Sequence, residues 1–171
     1  SEGTIIGSKF LQSATTLSGF YMQGGRGDKK LVYRTSIINS VPEYPVFEGE
    51  KYVGLGYKYQ LIDLKYELLT MNEILCYVNY QKDGSSVNMY RQCFHKPRGF
   101  AFIRKESMKH HPSRKRKFVE AIHYVSSSII SRNPGFISES PYKLMTMVAV
   151  PFGIVLYAFL AFQYKRNKSM T

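Results

Sequence analysis

Tryptophan is absent from the chain, and cysteine occurs only at Cys76 and Cys93. Two cysteines exclude a disulfide-dense secreted scaffold, and without a Cys-x-x-Cys pair they also exclude the common zinc frameworks. Cys93-x-His95 supplies too few local ligands for a metal. Acidic residues are scarce: twelve Asp and Glu stand against twenty-four Lys and Arg, for a net charge of +12. The last acid is Glu139, so nothing after it offsets positive charge. There is no internal repeat and no low-complexity tract, which excludes solenoid architectures. No phosphate loop, Ser–His–Asp order or working carboxylate pair is recognisable, so neither an enzyme nor a bound cofactor is expected. Ser1 to Lys9 lack the basic run and long apolar stretch of a secretory signal. The chain starts at Ser, which is compatible with a leader removed upstream.

The most informative absence is of charge itself. The twenty-one residues from Leu144 through Tyr164 carry none, while Lys143 precedes them and Lys165, Arg166 and Lys168 follow. At about 1.5 Å per residue this run measures roughly 30 Å, the thickness of a bilayer's hydrocarbon core. It predicts a transmembrane helix over 144–164 and a short basic tail over 165–171. Pro151 and Gly153 lie inside the run, where a membrane helix tolerates them. Ala149 and Gly153 form a small-xxx-small pair that suits contact with another membrane helix. Basic residues flank both ends, so the positive-inside rule leaves the orientation open.

Residues 1–135 read as a basic, Tyr-rich α+β domain, and 136–143 as a linker. Apolar residues at Ile6, Phe10, Leu17 and Tyr21 suggest a first helix, ended by Gly24-Gly25. Strands are expected over 31–38, over 51–66 where Tyr57, Tyr59 and Leu61 alternate with polar residues, and over 99–104. Two more, 74–80 and 87–94, flank Lys82-Asp83-Gly84-Ser85-Ser86 and predict a β-hairpin. A regular hairpin there would place Cys76 opposite Cys93, a spacing that permits a disulfide. Pro112 and Ser113 open an amphipathic helix with Phe118, Ile122, Val125 and Ile129 on one stripe. The expected whole is a small mixed domain of hairpins and one amphipathic helix, followed by one transmembrane helix.

Between Lys96 and Lys117 the basic residues cluster. Arg104, Lys105, Lys109, Arg114, Lys115, Arg116 and Lys117 are candidates to meet anionic lipid or an acidic partner. Four of them are consecutive at the start of a predicted helix, where the helix dipole disfavours cations, so an anionic partner would offset a cost. Within the same region, Arg98-Gly99-Phe100-Ala101-Phe102-Ile103 resembles the first six positions of RNP1, the base-stacking strand of RRM domains. The eighth position, aromatic in that motif, is Lys105. Seventeen residues separate Tyr80 from Arg98, too few for the helix and strand an RRM requires there. Nucleic acid is therefore a disfavoured partner.

These features suggest a non-catalytic, single-span accessory subunit of a large membrane complex, such as a respiratory or ATP synthase complex of the mitochondrial inner membrane. Its partners would be other subunits and anionic phospholipid. Two alternatives share the sequence features: a tail-anchored protein of the cytosolic face, and a type I secretory-pathway protein with a ligand-binding lumenal domain.

Overall fold

The computed structural model describes residues 3, 5–51, 53–79 and 89–168. Among these the chain is mostly helical, 56% helix and 3% strand, which overturns the expected α+β domain. The chain divides into two units, one of Ser1–Glu43 with Lys58–Gln81, the other of Tyr44–Tyr57 with Lys82–Thr171.

The first unit holds a minimal antiparallel sheet in which β1 (Ala14–Thr15) pairs with β2 (Leu68–Leu69), Ala14 opposite Leu69. Two short helices follow β1, α1 (Leu17–Met22) and α2 (Thr35–Ser40), and most of α3 (Gly56–Asp63) also belongs here. The first N–H groups of a helix have no partner within it. In α1 the Thr16 hydroxyl accepts from the Gly19 N–H, and the Asp63 carboxylate accepts from Leu17 at 3.1 Å and Ser18 at 2.7 Å. Phe20 and Ile62 are buried, and the Lys29 ammonium lies about 5 Å over the Phe20 ring. Gly7 and Gly27, both at positive φ, bring their backbones together so closely that a Cβ on Gly27 would meet the Gly7 Cα at 2.5 Å. Only glycine fits that crossing.

The second unit is built from α4 (Met89–His95), α5 (Pro97–His110), α6 (Arg114–Ile130), α7 (Phe136–Glu139) and α8 (Lys143–Lys168). Helix α6 is central, packed against both α5 and α8. Met108, Ala121, Tyr124, Val125 and Ala149 form a core that is almost fully excluded from solvent, with Phe118, Ile122 and Ile129 against it. The stripe predicted for α6 is thus the one it buries. Ser113 stands at its N-cap, as Ser commonly does, its hydroxyl accepting from the Arg116 N–H. Pro97 opens α5, and the Glu50 carboxylate accepts from the Arg98 and Gly99 N–H groups at 2.8 Å each. Tyr57 meets Phe102 edge-on at 4.9 Å.

Four expected strands are corrected. Residues 35–38 of the first lie in α2, 56–63 of the second form α3, 89–94 belong to α4, and 99–104 lie within α5. Their aromatic and β-branched residues fit a pleated surface, but tertiary packing overrides that preference, and in α5 the long-range cap from Glu50 favours the helix. Residues 74–79 adopt neither helix nor strand, and the hairpin turn 82–86 lies outside the described residues. With Cys93 on a helix, the register that would have paired it with Cys76 is lost; both are free thiols. The first predicted helix shrinks to Leu17–Met22.

Candidate functional site

Helix α8 is long and apolar enough to cross a membrane. Its twenty-six residues reach about 39 Å, and its two faces differ in kind. The inner face packs on the chain itself. Thr146 and Ala149 are fully buried, and Gly153 receives Val125 of α6 so closely that a Cβ there would lie 2.5 Å from the Val125 Cβ and Cγ1. The Ala149–Gly153 notch therefore seats a helix of the same chain. Phe118 meets Phe152 edge-on at 5.8 Å. Nearer the C-terminal end, α4 takes over: Tyr90 lies edge-on to Phe159, and Phe94 stacks on Tyr164 with ring centroids 4.6 Å apart.

The outer face has no such cover. Leu144 is 77% exposed, Val148 61%, Val155 69% and Phe162 63%, with Met147 and Ile154 also open. An apolar surface of this extent is characteristic of a membrane or protein contact. Pro151 interrupts the hydrogen-bond ladder about a third of the way along the helix.

The structure divides the basic run. Arg104 pairs with Glu120 at 2.9 Å, Lys105 with Glu139 at 3.5 Å, and Lys109 with Glu106 at 2.6 Å. These three charges are met within the fold. Lys117 donates to the Tyr142 hydroxyl at 2.5 Å, and its ammonium lies 4.5 Å from the centre of the same ring. Arg114, Lys115 and Arg116 are exposed, and none has an acidic partner among the described residues. Because Tyr142 directly precedes α8, the Lys117 contact ties the start of α6 to the start of the apolar helix. Beside it the Ser140 and Thr146 hydroxyls, both buried, share a hydrogen bond of 2.6 Å.

Burial favours the neutral forms of Tyr124, His123 and Cys93 in the second unit. Burial, with a smaller contribution from Glu139, raises the Tyr124 phenol to about 12, and its O–H donates to the Phe136 carbonyl at 2.9 Å. Burial and the nearby Arg104 charge lower the His123 pKa, with Glu120 opposing. Burial raises the Cys93 thiol, Arg104 pulling the other way, so the nucleophilic thiolate is disfavoured. The RNP1-like segment is helical, and Phe102 packs on Tyr57 instead of standing on an open sheet. Among the described residues no group of three His, Cys, Asp or Glu is placed to hold a metal.

Sequence reasoning missed Tyr142, Glu50 and Asp63. Tyr142 carried a usable signal, since Tyr beside an apolar helix marks the membrane–water boundary. The two carboxylates act over 48 and 45 residues of chain, a separation that no local pattern encodes. Comparison with known protein families, with curated proteins and with solved structures finds no match to this chain.

Proposed function

We propose that the protein is a non-catalytic, single-span subunit of a larger membrane assembly, anchored by α8 and seated on anionic phospholipid through Arg114, Lys115 and Arg116. The outer face of α8 carries this reading. Each large apolar side chain moved from water into an apolar phase contributes about 1.5–3 kcal/mol, and that face displays six of them. The basic cluster supports the lipid contact, because Lys117 on Tyr142 holds it where the apolar helix begins. There each basic side chain gains about 1 kcal/mol from an anionic leaflet. Fourteen Tyr in a chain of this length support contacts with other subunits, since Tyr is enriched in protein interfaces. The mitochondrial inner membrane is the setting we favour, its anionic lipid complementing a chain of net charge +12.

The test is native electrophoresis of mildly solubilised membranes, with mass spectrometry of whatever migrates with the chain. Carbonate-resistant material comigrating with a stoichiometric complex supports the proposal and identifies the assembly. Migration near the monomer mass of 19.7 kDa removes the subunit role and leaves an isolated membrane anchor.

A further inference from the structure

The covering of α8 described above and a membrane-spanning α8 exclude one another. Contacts along the inner face run from Tyr142, held by Lys117, through Gly153, filled by Val125, to Tyr164, stacked on Phe94. That stretch of helix is about 33 Å long, the full depth of a bilayer core. The covering elements carry charge: Arg91 lies on α4, and the Arg104–Glu120 pair ties α5 to α6. Hydrocarbon does not admit these groups on the outside of a lone span. For α8 to cross, its contacts with α4, and with α6 from Ala149 onward, have to open.

We infer that α4 and α6 form an intramolecular half-sheath that covers the inner face of α8 in water and releases it into the bilayer, with the Lys117–Tyr142 contact kept closed as the pivot. This rests on the spanning reading above. The contacts given up suit such an exchange. Val125 on Gly153, Phe118 on Phe152, Tyr90 on Phe159 and Phe94 on Tyr164 are apolar or aromatic, and lipid replaces them without leaving a buried polar group unpaired. The polar contacts, Lys117 with Tyr142 and Ser140 with Thr146, lie at the first turn, where the helix leaves the domain.

The experiment uses the full chain, synthesised without membranes, carrying Phe94→Cys and Tyr164→Cys in a Cys76→Ser, Cys93→Ser background. Oxidation before vesicles are added should cross-link α4 to α8. The locked chain should then fail to become carbonate-resistant on addition of anionic vesicles, and reductant should restore integration. A second variant, Gly153→Leu without added cysteines, expels Val125 from its seat while keeping α8 apolar. It should integrate severalfold faster than the wild type, and faster than Ala158→Leu, which places the same side chain on an exposed position. Absence of the cross-link in water, its persistence in carbonate-resistant chains, or equal integration of locked and reduced chains overturns the sheath while leaving the span intact. Failure of every form, reduced wild type included, to integrate overturns the spanning reading and the sheath with it.

Discussion

At the scale of single residues, the interior of the second unit is decided by polar groups placed among apolar ones. Tyr124 is 1% exposed and gives its O–H to the Phe136 carbonyl. Tyr124→Phe keeps the ring and leaves that carbonyl without its donor, so denaturant unfolding should show a loss of about 1–2 kcal/mol. His123 gives stability a pH dependence. Its folded pKa lies below the ordinary 6.5, so between the two values the unfolded chain binds a proton that the folded chain does not. Its contribution is complete above pH 6.5, fades as pH falls towards the folded value, and is gone below it. The charged groups that act on it are Arg104 from α5 and Glu120 from its own helix. Unfolding midpoints measured from pH 7.5 down to 5 should fall with acid, and His123→Gln should flatten that slope.

At the scale of elements, α8 and α6 were legible because each imposes a rule that tertiary context does not override. For α8 the rule is length without charge; for α6 it is one apolar stripe behind Ser113. The span makes a sharp prediction. Val155 stands near the middle of the uncharged run on the open face, so Val155→Arg should lower membrane integration by about 2.5–3.5 kcal/mol, read as the ratio of integrated to extractable chain. The short elements were not legible. Tyr57, Tyr59 and Leu61 alternate as a strand does, yet residues 56–63 form α3, whose terminal Asp63 caps a helix 45 residues upstream, a contact no local pattern encodes. Phe100 and Phe102 are ordinary strand residues, placed in α5 by Pro97 at its start and Glu50 across its first turn. The basic run was visible as a cluster, but its division was not. Which cations are neutralised depends on Glu120, Glu139 and Glu106, which the fold alone brings within reach of Arg104, Lys105 and Lys109.

At the scale of the whole molecule, the exposed cations Arg114, Lys115 and Arg116 and the open apolar face of α8 should produce a binding profile that neither gives alone. Arg114→Gln, Lys115→Gln and Arg116→Gln together should cost up to about 3 kcal/mol of association with anionic vesicles. Sedimentation should show that loss shrinking as salt rises, with little change on zwitterionic vesicles. An equal loss on both lipids would point to a packing role for the cluster. The Lys117–Tyr142 contact has a consequence for how quickly a membrane is reached. In the proposed arrangement sheath and span belong to one polypeptide fastened at one end, so opening would be a first-order event whose rate constant does not change with protein concentration. A span carried by a separate escort is released by dissociation and recaptured in proportion to the escort present. Under the proposal recapture is intramolecular, its effective concentration set by the distance from Tyr142 to Tyr164, and diluting the protein should leave the balance between covered and released helix where it was.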